Sequence, residues 1–222
     1  MRHHADLKRI KGLIFDFDGT LVDSLGMWKD LDHLYLASRG LVAPPGLSHA
    51  IEGLSFDQTA AYFKEQFGIP ESIDEIVNEW HEHVEDQYPR LPFKGGAIEF
   101  LDKMRNNGYS LGLATSNSHR IVRRYLTEKK ILDYFPVLVT SDDVGKGKPE
   151  PDVFLEAARR LELAPSECLV FEDTYMGVLG AKRAGMTTVA IYDPHNEEKW
   201  KDTLKIADYT LKHYDEFERM IS

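Results

Sequence analysis

Two aspartates separated by a single residue, Asp16 and Asp18, lie at the end of a short apolar run at residues 12–17, and Gly19 comes directly after them. Such a run reads as a buried strand that enters a tight loop. In that loop, one of the two carboxylates can act as a nucleophile, as in the formation of an aspartyl-phosphate. The other can handle protons in the same reaction. The pair therefore meets two needs of phosphoryl transfer, a nucleophile and a proton donor.

Three more polar groups follow apolar or loop segments later in the chain. They are Thr115-Ser116-Asn117, Lys148 within Lys-Gly-Lys-Pro, and Glu172-Asp173. Three or more carboxylates in one pocket repel each other and raise each other's pKa values. A divalent cation relieves that repulsion, and all-oxygen ligands suit Mg²⁺. A lysine beside the cation attracts a phosphate dianion, whose oxygens the hydroxyl and N–H donors at 115–117 can hold.

The elements that must position these residues alternate along the second part of the chain. Apolar runs at 109–115, 137–140, 168–171 and 187–191 predict strands, separated by segments with helical spacing. Alternation of this kind predicts an α/β fold with a doubly wound parallel sheet covered on both faces. Right-handed crossovers place the carboxyl ends of all strands along one edge. We therefore expect the polar groups to converge on one small volume.

Residues 23–92, here called the helical insert, have a different pattern. Helical spacing covers 24–40, 55–68 and 71–88, with Ser72 and Glu75 placed as a capping box. The insert holds 4 Lys/Arg against 13 Asp/Glu, a net charge of −9. We predict two domains, an α/β core at 1–22 and 93–222 and a small all-helical domain at 23–92. The linkers at 22–24 and 88–93 are the expected hinges.

Composition limits the partners. The 222 residues carry a formal net charge of −10, which disfavours nucleic acid and anionic membrane surfaces as partners. No apolar run approaches the roughly 20 residues of a membrane span, and residues 1–11 lack the apolar core of a secretory signal. A single cysteine, Cys168, excludes an internal disulfide framework. We expect a cytoplasmic setting, and the sequence does not indicate an oligomeric state.

The stretch DFDGTLVDS at residues 16–24 resembles the first motif of the haloacid dehalogenase superfamily, in its phosphatase and β-phosphoglucomutase-like branch. Thr115 resembles the second motif, Lys148 the third, and Glu172-Asp173 the fourth. The order and spacing of these four motifs agree with those of the superfamily from about residue 11 onward. The resemblance implies a Rossmann-like core, and the helical insert looks like the family's cap, which would close over the site and select the leaving group.

The resemblance also implies roles for individual residues. Asp16 would be the nucleophile, Asp18 the general acid and base, and Lys148 a partner of both nucleophile and phosphate. Mg²⁺ would be held by Asp16, the backbone carbonyl of Asp18 and Asp173, with Glu172 ligating directly or through water. Phosphate and substrate contacts are expected from Gly19, Thr20, Thr115, Ser116, Asn117 and Lys148 in the core, and from Trp28, Ser55 and Phe56 in the helical insert.

Three functions compete at this point. The first is a Mg²⁺-dependent phosphatase that acts on a small phosphorylated metabolite. The second is a phosphosugar mutase of the β-phosphoglucomutase type, in which the cap carries an arginine where this chain has Phe56 and a histidine where it has Trp28. The third is a non-catalytic ligand-binding module, which would be expected to lose Asp16 or Asp18. The departures from the mutase pattern at Phe56 and Trp28, together with the net negative charge of the helical insert, favour the phosphatase.

Overall fold

The computed structural model describes residues 7–217, so the first six residues of the polar N-terminal stretch and the last five of the predicted core lie outside it. In the described part of the chain, six parallel strands form one sheet in the order β3-β2-β1-β4-β5-β6. The predicted α/β fold with a doubly wound parallel sheet is confirmed. The strands are β1 (Gly12–Phe15), β2 (Ser110–Thr115), β3 (Val137–Thr140), β4 (Cys168–Glu172), β5 (Thr187–Ile191) and β6 (Tyr209–Leu211).

Within residues 7–217, ten α-helices connect and cover these strands. They are α1 (Leu25–Ala37), α2 (Leu47–Ala50), α3 (Phe56–Phe67), α4 (Ile73–Val84), α5 (Ala97–Asn106), α6 (His119–Glu128), α7 (Ser141–Val144), α8 (Asp152–Arg160), α9 (Tyr175–Arg183) and α10 (Glu197–Ile206). Short 3₁₀ turns lie at Tyr88–Arg90, Leu132–Tyr134, Pro165–Glu167, Pro194–Asn196 and Tyr214–Glu216. None of these helices, within residues 7–217, has both the length and the apolar character to cross a bilayer.

The central strand β1 shows how the sheet forms two cores. Its side chains alternate between the faces, as the two-residue period of a strand requires. Leu13 and Phe15 belong to the larger core, which continues into the helical insert, whereas Ile14 belongs to a smaller core that includes Phe154 of α8. All four residues of β1 are buried. Because both faces are covered, the strand is a continuous apolar run rather than an alternating one.

Helices α1–α4 lie between β1 and β2 in sequence and pack around aromatic rings. Phe63 contacts Tyr35 and Trp80 edge-on, with ring centroids 5.9 and 5.3 Å apart. The capping box at Ser72 and Glu75 is confirmed, since each side chain bonds the other residue's backbone N–H. The two linkers run side by side, where the Asp23 N–H donates to the Pro92 carbonyl at 3.0 Å.

Strand order decides where a site can form. β2 and β3 lie on one side of β1, and β4, β5 and β6 lie on the other. Ligands bind at such a reversal of strand order, outside the carboxyl ends of the strands. The residues directly after β1 and those at the end of β4 are therefore neighbours at the favoured position. Phe15 pairs with Phe171, and the Asp16 N–H donates to the Phe171 carbonyl at 2.9 Å.

Candidate active site

An acidic cluster lies at the carboxyl ends of β1 and β4. Ligand oxygens of Asp16, Glu172 and Asp173 all lie within 4.8 Å of one another, and all three residues are buried. Asp16 follows β1 directly, Glu172 is the last residue of β4, and Asp173 comes next. The sheet thus brings together residues more than 150 positions apart, as the sequence predicts.

Lys148 supplies the positive charge of the cluster. Its Nζ donates to Asp16 Oδ1 at 2.6 Å and to Glu172 Oε1 at 2.5 Å, and its side chain is buried. Burial would lower the pKa of Lys148, but attraction to Asp16 and Glu172 holds that pKa above its ordinary value. Lys148 is therefore a fixed ammonium placed between two strand ends.

One lysine does not neutralise three carboxylates. Burial raises the pKa of Asp16 to about 8, while Lys148 acts against this rise and Glu172 adds to it. Burial, together with the nearby Glu172 and Asp16, raises the pKa of Asp173 well above its usual range. Asp173 Oδ1 accepts a hydrogen bond from Thr20 at 2.9 Å, and its Oδ2 accepts one from Asn196 at 2.6 Å. The cluster has the surplus negative charge and oxygen donors of a divalent cation site.

Two glycines make room for this cluster. A Cβ on Gly177 would overlap the Glu172 carboxylate, so the start of α9 can pass over that carboxylate only without a side chain. A Cβ on Gly19 would overlap the Asp173 carboxylate, and the φ of Gly19 is +76°. Gly19 therefore shapes the loop beside Asp173, and it is not part of the cavity wall described below.

Asp18 is held apart from the acidic cluster by four hydrogen bonds. Its Oδ1 accepts from Ser24 Oγ at 2.6 Å, Trp28 Nε1 at 2.6 Å and Tyr88 OH at 2.5 Å. Its Oδ2 accepts from Asn117 Nδ2 at 2.8 Å. These donors come from the loop after β2, the start of the helical insert and its second linker. The Asp18 carboxylate thus ties the sheet to both hinges of the insert.

Side chains of the loop after β2 make hydrogen bonds within the protein as well as lining the cavity. The Thr115 hydroxyl accepts from the Asn117 N–H at 3.0 Å, and Asn117 directs its side-chain amide to Asp18. Ser116 donates to the Gly53 carbonyl of the helical insert at 3.2 Å. All three residues line the same cavity as Asp16 and Lys148. The predicted convergence of this loop with the acidic cluster is confirmed.

The cavity at this edge of the sheet has a volume of about 790 Å³ and lies between the core and the helical insert. Its core side includes Asp16, Asp18 and Lys148, and its insert side includes Trp28 and Phe56. The rings of Trp28 and Phe56 meet edge-on, with centroids 5.6 Å apart. Such a volume accommodates a small ligand together with its phosphate group.

Two predicted contact residues have other roles in the structure. The Ser55 hydroxyl accepts from the Gln58 N–H and caps α3, and Ser55 lies outside the cavity wall. The Thr20 hydroxyl donates to Asp173, so it orients a cluster carboxylate rather than facing the cavity. Both side chains are buried where a hydroxyl must find a partner, and a nearby backbone or carboxylate group provides it.

Sequence reasoning missed Tyr88 and Asn196. Tyr88 lies in a segment that the sequence marks as a linker, yet it is fully buried with its hydroxyl on Asp18. Asn196 lies beyond the last predicted strand and donates to Asp173. The two prolines within the linker indicate a turn, but nothing in the local pattern indicates which group the Tyr88 hydroxyl would contact. These contacts depend on tertiary packing.

A family model described as haloacid dehalogenase-like hydrolase matches residues 13–191, which include the acidic cluster, Lys148 and both hinges. The chain belongs to this family. It is an enzyme, a hydrolase that acts on phosphate esters, and the resemblance noted in the motifs is confirmed.

Individual relatives are similar over most of this chain. A bifunctional riboflavin kinase/FMN phosphatase of Arabidopsis thaliana is 32% identical over 83% of this chain, which spans 49% of that protein, about half its length. Hexitol phosphatase A of Escherichia coli is 36% identical, over 84% of this chain and 85% of that protein. A β-phosphoglucomutase structure from Clostridium difficile has a TM-score of 0.80 at 21% identity, with 95% of each chain covered, and this likeness shows the fold alone.

Proposed function

We propose that this haloacid dehalogenase-like hydrolase is a Mg²⁺-dependent phosphatase, which removes phosphate from a small metabolite through an aspartyl-phosphate on Asp16. The observation that carries the proposal is the buried cluster of Asp16, Glu172 and Asp173 with Lys148, open to a cavity that Asp18 also lines. The phosphatases among its relatives support the same reaction.

The donor set suits Mg²⁺. Three carboxylates and one ammonium leave two surplus negative charges, which a divalent cation balances, and Mg²⁺ prefers oxygen ligands. Asp16, Asp173 and the main-chain carbonyl of Asp18 would hold the ion. Both oxygens of Glu172 already accept hydrogen bonds, one from Lys148 and the other from Thr174, which favours ligation through water. When bound, the ion would neutralise charge on the phosphoryl oxygens.

In the first step, a carboxylate oxygen of Asp16 attacks phosphorus and the bond to the leaving oxygen breaks. Asp18, in its protonated form, gives its proton to that oxygen, so the leaving group departs as a neutral alcohol. Lys148 and the donors around Thr115 hold the non-bridging oxygens, since they share the cavity with Asp16. To reach the leaving oxygen, Asp18 must release part of its hydrogen bonding to Trp28 and Tyr88.

In the second step, water attacks the phosphorus of the aspartyl-phosphate. Asp18, now a carboxylate, accepts a proton from that water, and the bond from phosphorus to Asp16 breaks. Inorganic phosphate leaves, and Asp16 and Asp18 return to their starting states. Two aspartates are therefore sufficient for both half-reactions.

We propose that the helical insert at residues 23–92 is a separate cap domain, with the core at 1–22 and 93–222. The side-by-side linkers support hinge motion, and the donors on Asp18 from Ser24 and Tyr88 couple the hinges to the general acid. Closure of such a cap excludes water and selects the leaving group. The single cysteine, the free and buried Cys168, supports a reducing, cytoplasmic setting for the reaction.

A phosphosugar mutase has less support. Its intermediate carries two phosphates, and the second one needs cationic groups in the cap. Among the described residues that line the cavity, the lysines are Lys148 in the core and the exposed Lys29, and no arginine is present. Phe56 and Trp28 take the positions where the mutase group carries arginine and histidine. The insert therefore offers little to hold a distal phosphate.

Release of phosphate from p-nitrophenyl phosphate tests the proposal. We expect hydrolysis that requires Mg²⁺, stops with EDTA and is absent in Asp16→Asn. Asp18→Asn should slow turnover by about 10²–10⁴-fold, the range for loss of a general acid and base, with nearly unchanged Mg²⁺ affinity because only its carbonyl faces the ion.

Asp133→Asn, at an exposed position, is the matched control and should retain full activity. Activity that persists in Asp16→Asn or in EDTA would contradict the proposal. Interconversion of hexose 1- and 6-phosphates, stimulated by a bisphosphate, would support the mutase instead.

A further inference from the structure

Asp32 is an acidic side chain in the cavity wall that the proposed reaction does not use. It lies on α1 four residues after Trp28, so both side chains face the same side of that helix. Both residues line the cavity, together with the apolar side chains of Leu31 and Phe56. Asp32 is thus a carboxyl group on the insert side of the substrate cavity, opposite the acidic cluster of the core.

The Asp32 carboxyl has no hydrogen bond or ion pair with any residue of the described range 7–217. Burial alone raises its pKa to about 7. The Asp32 side chain is half-buried and lies in the cavity wall. A partly desolvated carboxyl in this place gains from a ligand that supplies hydrogen bonds.

Other acidic residues of the cavity wall are already engaged. Glu52 accepts from the Met176 N–H at 3.2 Å, Glu198 contacts His49 at 2.5 Å, and Glu197 accepts from Tyr192 at 2.5 Å. These groups hold the insert and the mouth of the cavity in place. Asp32 differs from them because its hydrogen-bonding capacity is still available to a ligand.

The surroundings of Asp32 define the ligand chemistry. A second phosphate would be repelled by the carboxyl, and Lys29, the nearest lysine on the same helix, is exposed. The rings of Trp28 and Phe56 provide apolar surface for the C–H face of a sugar or polyol. A carboxyl whose neutral and charged forms are close in energy can both donate to and accept from hydroxyl groups. Hydroxyls on an uncharged carbon chain match all these features.

We propose that Asp32 is a specificity-determining residue that binds hydroxyl groups of a neutral polyol or sugar leaving group. The inference rests on the proposed phosphatase function, since it assigns the substrate class of that same cavity. The phosphate would lie against Asp16 and Lys148, and the hydroxyl-bearing chain would extend across Trp28 to Asp32.

The test compares two monophosphates that differ in their hydroxyls, glucitol 6-phosphate and n-hexyl phosphate, by the ratio of their kcat/KM values. Asp32→Leu keeps the size of the side chain and removes its hydrogen bonding. We expect this variant to lower the ratio by about tenfold or more, as for loss of a hydrogen bond to a charged group. Asp32→Asn, which still donates and accepts, should lower the ratio less.

Asp30→Leu is the matched control, because Asp30 is exposed on the same helix and outside the cavity wall. It should leave the ratio at the wild-type value. Melting temperatures of all variants establish that they are folded.

An unchanged ratio in Asp32→Leu, or a wild-type preference for n-hexyl phosphate, would overturn the assignment. So would a preference for ethanolamine phosphate that Asp32→Leu removes, because the site would then recognise a cation. If wild-type protein hydrolyses p-nitrophenyl phosphate under any of these outcomes, the phosphatase function stands and the assignment of Asp32 alone is wrong. If it hydrolyses none of these esters, the phosphatase function itself fails.

Discussion

At the scale of single residues, the acidic cluster depends on what stands next to each carboxylate. Lys148 and Thr174 hold Glu172 from two sides, and Gly177 leaves the space that the carboxylate occupies. Asp16 and Asp173 could be predicted from sequence, because a strand end followed by an acidic residue is a local pattern. Lys148 could be predicted only from its Lys-Pro context and from the resemblance of its segment to the third motif of the family. The space over Glu172 could not, since it depends on how α9 crosses β4.

Gly177→Ala tests that requirement. The new Cβ would overlap the Glu172 carboxylate, so either the start of α9 or Glu172 must move. We expect a loss of about 1–3 kcal/mol in the free energy of unfolding, as for other overpacked sites, together with weaker Mg²⁺ binding. Urea unfolding and Mg²⁺ titration by calorimetry provide the two measurements.

Gly26→Ala provides the control, since Gly26 also lies in the first turn of a helix and its added Cβ would meet His195 at an ordinary 3.5 Å. This variant should keep or slightly raise the stability, because alanine favours helices over glycine. Equal effects of the two substitutions would show that Glu172 can be accommodated elsewhere.

At the scale of elements, strands β1–β5 could be predicted because each is a short apolar run covered on both faces. β6 and α10 were not predicted. β6 is a three-residue edge strand with one exposed position and no apolar run, and α10 has a single fully buried residue, Thr203. Such elements form because β5 and α9 are already present to pair and pack with them. The hinge network around Asp18 is a tertiary feature of the same kind.

Tyr88→Phe tests the hinge network at this scale. The Tyr88 hydroxyl links the second linker to Asp18, and Ser24, Trp28 and Asn117 remain as donors when it is removed. We expect kcat to fall by about tenfold while KM changes little, because the proposed acid loses part of its positioning and the cavity wall stays intact.

Tyr125→Phe provides a matched control, since Tyr125 packs on the same rings but donates to the Leu91 carbonyl. It should lower the free energy of unfolding by about 0.5–1.5 kcal/mol, as for an ordinary hydrogen bond, and leave kcat unchanged. A loss of kcat in both variants would assign the effect to packing rather than to Asp18.

At the scale of the whole molecule, the sheet gathers like charges at one edge and must tolerate them there. The pKa of Asp16 is raised to about 8 by burial, against an ordinary value of 3.8. The folded protein therefore binds more protons than the unfolded chain between these values, so stability falls as the pH rises from about 4 to about 8. Asp173, whose pKa is also raised, acts in the same direction.

Binding of Mg²⁺ should reverse this loss, because a ligand that binds only the folded state stabilises it. At a concentration 100 times the dissociation constant the gain is about 2.7 kcal/mol. We expect this gain in urea unfolding of the wild-type protein at pH 8, and a smaller gain at pH 5, where protons compete for the same carboxylates.

Asp173→Asn removes one of three crowded charges, so it should make the metal-free protein more stable at pH 8 and abolish the gain from Mg²⁺. A variant that is less stable without metal, or that still responds fully to Mg²⁺, would show that Asp173 serves the fold rather than the ion.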